Sequence, residues 1–293
     1  MDISEVPYTC YYEPLPVPEG QPSSTEAGAA YEYFQPTKAT ASVWSADMQH
    51  GAPPAALMIR ALERAVPDDG QEFTRVTTEI LGPIGLGVNR VSTSMPRPGR
   101  RISMVQADLE AQGPDGSFRV VARTVAWRLQ TSDTAAVVNA PHDRLPASPD
   151  DLPQIIGFPE VDDAGIPVAW GRIGFIGTTI TARQPGRNGK TSALWIRAAI
   201  PLVLGEEMTN LEAMFAVLDV ANGVGTALQP NEWSWMNMDT TVHLTGQPTS
   251  PWLGIDSDLV IGARGYGASF ADLYDVTGFL GRSAQSDMIA AQG

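Results

Sequence analysis

The chain has 293 residues, with 33 acidic against 19 Lys and Arg side chains and a formal net charge of −14 at pH 7. That length fits one large or two medium domains, and so acidic a surface repels phosphate backbones, which argues against a nucleic-acid partner. The one cysteine, Cys10, excludes an internal disulfide and a cysteine-built zinc centre and fits a reducing cytoplasm; no apolar run reaches the roughly 18 residues of a membrane span, and no basic-then-apolar secretory segment opens the chain.

The first 30 residues are rich in Pro, Glu, Gly and Ser and read as a loosely wrapping extended segment. Residues 31–37 and 40–45 alternate enough for two strands. The turn from Gln49 to Pro54 then leads into a helix over residues 55–66, where Leu57, Ala61, Leu62 and Ala65 recur at helical spacing. Proline is tolerated in a first turn, whose N–H groups have no intrahelical partner; Pro67 and Gly70 stop the helix. Period-two patterning follows at 73–84, 88–99, 100–112 and 118–129, with a tight turn at Pro114–Gly116. One helix against a meander is an α+β unit, assigned to residues 31–138.

Residues 139–170 carry prolines at 141, 146, 149, 153 and 159 and acids at 150, 151, 162 and 163, the composition of a linker. The plan then repeats in a second domain, residues 171–293: a strand at 194–202, a helix within 206–228 with Leu211, Met214, Phe215 and Leu218 on one side, and strands at 234–244, 252–261, 265–275 and 280–290. The turn Val276–Gly278 stands where the first half has Pro114–Gly116. The shared order argues for duplication.

Four stretches carry a resemblance to a known family. They are FQPTKATASVWSADMQHGAPPAALMIRALERA and GRRISMVQADLEAQGPDGSFRVVARTVAW in the first half, and MNMDTTVHL and ARGYGASFADLYDVTGFLGRSAQS in the second. The chain resembles the TesB-like acyl-CoA thioesterases over roughly residues 30 to 290. The resemblance implies an α+β tandem hotdog, each unit a central helix wrapped by a long antiparallel sheet, and a homodimer. It also implies hydrolysis of acyl-CoA to a free acid and coenzyme A with no cofactor beyond the substrate. Catalysis is then by an aspartate, a threonine or serine, and a glutamine, all in the second half. On this resemblance the aspartate maps to Asp239 and the glutamine to Gln285, with Ser257 and Asp258 near the hydroxyl position. Thr240 stands where the family often has a histidine.

The chemistry asks for an activated water and a donor for the developing oxyanion. Asp239 can take a proton, Gln285 can orient a water without ionising, and Ser257 can hold it by a second hydrogen bond. Backbone amides at the turn beginning at Gly51, or near residues 207–210, can face the oxyanion. Close packing is the plainer role for Gly51 and Gly223, as turn geometry or solvent exposure is for Asp239, Gln285 and His50. Arg100, Arg101 and Arg264, with Arg97 and Arg282, are candidates for the phosphates of coenzyme A; ordinary surface charge is their plainer role. Asp219 and Asn222, one turn apart on the second helix, can serve the thioester or act as caps. His50, His142 and His243 are widely spaced and form no HExxH arrangement, so no metal is expected. The alternatives are a non-catalytic acyl-CoA-binding or assembly protein of the same fold, and an enoyl-CoA hydratase or dehydratase, since fold alone does not fix the reaction.

Overall fold

The computed structural model of the chain describes residues 3–139, 144–159, 171–186, 191–229 and 231–292. Pro141, His142, Asp162 and Asp163 lie outside the described residues. The first half contributes β1 (Tyr12–Leu15), β2 (Glu32–Pro36), α1 (Ala52–Ala65), β3 (Gln71–Ile80), β4 (Asn89–Arg97), β5 (Ile102–Gln112) and β6 (Phe118–Gln130). The second contributes β7 (Ile155–Ile156), β8 (Thr179–Pro185), β9 (Ser192–Ala198), α2 (Asn210–Leu218), α3 (Ala221–Val224), β10 (Trp233–Asn237), β11 (Asp239–Leu244), β12 (Leu253–Ile261), β13 (Tyr266–Asp275) and β14 (Gly278–Ala291). The strands form one antiparallel sheet in the order β1-β2-β4-β5-β6-β3-β11-β14-β13-β12-β9-β8-β7, with β10 paired to β14. The halves join where β3 meets β11, in a register running from Asp239 opposite Glu79 to His243 opposite Arg75.

Both central helices lie inside the curve of this sheet and pack on each other, sharing one hydrophobic core across the halves. Helix α1 is buried from Ala52 to Leu62. It begins three residues earlier than its periodicity suggests, because Pro53 and Pro54 occupy first-turn positions that need no N–H. Arg60 is buried on this helix at 3% exposure, and its guanidinium is neutralised by Glu206 at 2.7 and 2.9 Å and Glu32 at 2.9 Å. Helix α2 is apolar nearly all round, as a helix enclosed by sheet and a second helix must be. The Thr209 hydroxyl caps it by accepting the Glu212 N–H at 3.0 Å.

Besides the early start of α1, and β7 within the segment read as a linker, which pairs with β8, three sequence-based expectations change. Residues 40–45 do not form a strand: Thr37 caps a single 3₁₀ turn at Lys38–Thr40, and the chain then folds back so that Ser42 N–H reaches the Met48 carbonyl. The opening segment is not loosely wrapped either. It supplies β1, and Tyr11 and Tyr12 are fully buried, with hydroxyls on Thr178 Oγ1 at 2.8 Å and Gln49 Oε1 at 2.7 Å.

The third change opens the site. The single strand expected at 234–244 is split at Met238, where the register against β14 slips by one residue between β10 and β11. β11 is flanked by β3 and β14, whereas β10 pairs only with β14. A bulge of this kind re-aims side chains and is common beside active sites. Here it leaves a gap between β10 and the loop that follows β3.

Candidate active site

Four inward-facing residues make a row across adjacent central strands: Thr124 on β6, Thr78 on β3, Thr240 on β11 and Gln285 on β14. All four are buried. Across the seam Thr78 stands opposite Thr240. Gln285 Nε2 donates to Thr240 Oγ1 at 3.0 Å and lies 3.4 Å from the Asp219 carbonyl. Gln285 Oε1 is buried and has no hydrogen-bond partner among the described residues, which leaves it an unmet acceptor.

Asp219 hangs over this row at the point where α2 ends and the backbone turns into α3. Its Oδ1 accepts from Asn237 Nδ2 at 2.6 Å and from Thr240 Oγ1 at 3.4 Å. Its Oδ2 lies 3.3 Å from His50 Nδ1 and against Gly51, where an added Cβ would come within 2.7 Å. The carboxylate therefore sits at the start of α1, whose positive end favours an anion. Pro53 and Pro54 carry no N–H, and the Ala52 N–H is directed at His50 Nδ1 at 3.2 Å. That Nδ1 serves one neighbour at a time: as acceptor from Ala52 it leaves Nε2 protonated, and as donor it binds Asp219. The His50 ring stacks on Phe175, with centroids 4.3 Å apart. Burial lowers its pKa below the ordinary histidine value, outweighing the pull of Asp219 in the other direction, so the ring is neutral at pH 7.

Behind the carboxylate, Asn222 is fixed by two acceptors. Its Nδ2 donates to Asp287 Oδ1 at 3.1 Å and to the Trp235 carbonyl at 3.3 Å. Asp287 is fully buried and also accepts from Ser269 Oγ at 2.7 Å. Burial raises its pKa above the usual carboxylate range, and nearby Asp219 and Asp239 add to the effect. Asn222 also lines a cavity of about 290 Å³. That cavity runs from Asp219, His50 and Gly51 past Asn237 to the gap beside β10, where Pro83 and Ile84 form its far wall.

Of the residues singled out from sequence, Gln285 and Gly51 meet here, and so do His50, Asp219 and Asn222. Asp239 does not join them. Strand alternation turns it to the face opposite its neighbour Thr240, beside exposed Glu79, and its Oδ1 accepts the Ser286 N–H at 2.8 Å. Ser257 and Asp258 line a separate cavity of about 440 Å³ with His243 and Arg282. Arg100, Arg101 and Arg264 are exposed in the turns between β4 and β5 and between β12 and β13, and none lines the 290 Å³ cavity. Thr240 and Asn237 were not anticipated as site residues. For Thr240 the signal is parity: Val242 and Leu244 mark the even positions of β11 as inward, and Thr240 shares it. Among the described residues there is no group of three or more His, Cys, Asp and Glu side chains placed to hold a metal, and no helix long and apolar enough to cross a membrane.

A central helix wrapped by antiparallel sheet, repeated in tandem and sealed along one seam, defines the double-hotdog class. Residues 40–129 match the family model of the acyl-CoA thioesterase N-terminal domain, and residues 147–289 match that of the C-terminal domain. The chain belongs to this acyl-CoA thioesterase family. No curated protein matches it. Solved structures share the fold at low identity. A hot dog fold protein of unknown function from Alicyclobacillus acidocaldarius is 14% identical, with a TM-score of 0.64 over 90% of this chain and 94% of that one. The acyl-CoA thioesterase II TesB2 of Mycobacterium marinum is 12% identical, with a TM-score of 0.63 over 90% and 94%. The tesB protein of Mycobacterium avium subspecies paratuberculosis is 14% identical, with a TM-score of 0.55 over 89% and 92%.

Proposed function

We propose that the protein hydrolyses an acyl-CoA thioester to a free acid and coenzyme A, with Asp219, Thr240 and Gln285 as its catalytic residues. The observation that carries this reading is the convergence of an acid, a hydroxyl and a carboxamide from the second half on one buried point beside the start of α1. That is the trio the family resemblance calls for, with Asp219 as the acid and Thr240 as the hydroxyl. Asp219 takes a proton from the attacking water, which Gln285 Oε1 and the Thr240 hydroxyl hold in place. The carbonyl oxygen gathers negative charge and turns toward the backbone at Gly51, at the positive end of α1. Attack at the carbonyl carbon breaks the carbon–sulfur bond. Coenzyme A leaves as a thiolate and recovers the proton from Asp219. A cytoplasmic homodimer completes the reading, and light scattering on the purified chain tests the pairing.

The experiment offers purified protein acyl-CoAs of increasing length and follows thiol release in the wild type, Asp219→Asn, Gln285→Ala and Asp239→Asn. Release that depends on Asp219 and Gln285 but survives in Asp239→Asn supports the reading. Tight binding without release makes the protein an acyl-CoA binder. Hydration of a 2-enoyl-CoA without release makes it a hydratase.

A further inference from the structure

We infer that Trp44, backed by Trp235, forms a wall that limits the acyl group to a short chain, a specificity device that rests on the thioesterase reading above. Two voids touch Asp219, and a third lies beside the larger of them. The first is the 290 Å³ cavity open to the gap beside β10. The second lies between Asp219 and the paired helices and is closed by Ala55, Phe215 and Leu218; at about 10 Å³ it is at the lower limit for a single water and admits no hydrocarbon chain. The third, of about 40 Å³, lies past Trp44 and is enclosed by Val43, Phe158, Ile176, Val220 and Trp235. It shares Trp44, His50 and Asn222 with the main cavity, so the two are neighbours across these side chains.

The partition is fixed from both sides. The two indole rings meet edge to face, with centroids 5.3 Å apart and planes at 88°, an arrangement that aromatic quadrupoles favour. Trp235 is 5% exposed and held in β10, and its carbonyl accepts the Asn222 amide. Trp44 stands on the loop that replaces the expected strand at 40–45, with its N–H on Ser42 Oγ at 3.2 Å. Apart from His50 and Asn222 on the side it shares with the main cavity, the described side chains around the small void are aliphatic or aromatic, a lining suited to methylenes and unsuited to ribose or phosphate. With the thioester carbonyl at Asp219, the thiol arm leaves through the open cavity. The acyl carbons then run along the apolar wall until they meet Trp44. Removing that ring joins the small void to the cavity and lengthens the path available to the chain.

The test measures kcat/KM across straight-chain acyl-CoAs from acetyl to palmitoyl in the wild type, Trp44→Ala, Trp44→Phe and Phe215→Ala. Binding of S-alkyl-CoA thioethers of the same lengths, which cannot be hydrolysed, is measured in parallel. The wild type loses about tenfold or more for each methylene beyond its limit. Trp44→Ala moves that limit outward by roughly two carbons in both measurements, as expected for removal of the ring of an aromatic wall. Trp44→Phe, which keeps a ring in the loop, moves it less. An unchanged limit in Trp44→Ala overturns the inference, and so does a limit moved by Phe215→Ala instead. Thioether binding whose limit moves in Trp44→Ala, in a protein that releases no thiol, leaves the wall standing and removes the hydrolytic reading.

Discussion

The two halves of the molecule lay their polar groups along the same row and end differently. In the first half the Thr78 and Thr124 hydroxyls pair with each other at 2.8 Å, and Thr124 Oγ1 lies 3.5 Å from Met58 Sδ on α1. In the second half Thr240 bonds Gln285 at 3.0 Å, and the helix above supplies Asp219. The sheet and the covering helix are common to both. The differences are a methionine against an aspartate, a threonine against a glutamine, and a cavity that reaches the aspartate. In the first half the hydroxyls of this row satisfy each other. The other half leaves Gln285 Oε1 unmet, which is what a reacting group needs.

That contrast can be broken by substitution. Asp219→Asn is expected to lower kcat by about 10²–10⁴-fold, the range for loss of a positioned general base, read by thiol release. Gln285→Ala is expected to cost about 10²-fold, because the water loses one of its holds. Thr240→Val comes next, at roughly tenfold, since Gln285 keeps its backbone contact to the Asp219 carbonyl. In the first half, Thr124→Val breaks the hydroxyl pair with Thr78, neither member of which bonds Asp219 or Gln285. It should leave kcat unchanged and cost about 1 kcal/mol in a denaturant titration. A large loss of kcat in that variant would contradict the division of labour between the halves.

The ends of the helix pair sharpen the same comparison. At the start of α1 the acid is Asp219. At the start of α2 it is Glu212, 4% exposed, whose pKa is pushed up to about 7 by burial and then by nearby Glu63, against the opposing pull of Arg60 and Arg64. Glu63 accepts the Thr209 hydroxyl at 2.8 Å, and burial raises its pKa too. The folded state thus holds the Glu212 proton up to about pH 7, while the unfolded chain releases it near the ordinary glutamate value of 4.5. Stability therefore falls as pH rises between those values. Glu212→Gln should remove that fall and be the more stable protein at pH 8, by up to about 3 kcal/mol, as read by thermal unfolding across pH. A parallel pH profile in wild type and variant would contradict it. The smallest effects are assigned to Arg100, Arg101 and Arg264: alanine at each raises KM for acyl-CoA about twofold to fivefold, the share of one exposed charge contact, and leaves kcat alone.

Much of this architecture is legible from periodicity. Strands over 88–112 and 118–129 and the burial of α1 follow from alternation and helical spacing, because both record which face leaves water. The proposed active point was harder to read. An aspartate in a strand with a glutamine on a later strand looks like a pair until parity is counted, and Asp239 is odd where Val242 and Leu244 are even. Asp219 was visible as an acid at the end of a largely apolar helix, but nothing local says that α1 begins against it. That contact joins residues far apart in the chain. β1 and the folded-back loop at 41–50 escaped for the opposite reason: their order comes from tyrosine hydroxyls and capping threonines that reach distant partners, and short polar stretches carry no period.

Cys10 has a practical consequence. It is the one sulfhydryl in the chain, it has no exposed surface, and burial raises its pKa. Thiolate is the form that attacks disulfide reagents, so slow reaction of the folded protein with a chromogenic disulfide is the expected outcome. Colour that develops in a mixture of native protein, acyl-CoA and such a reagent counts mainly released coenzyme A. The turnover predicted here can then be followed continuously, with no cysteine-free variant.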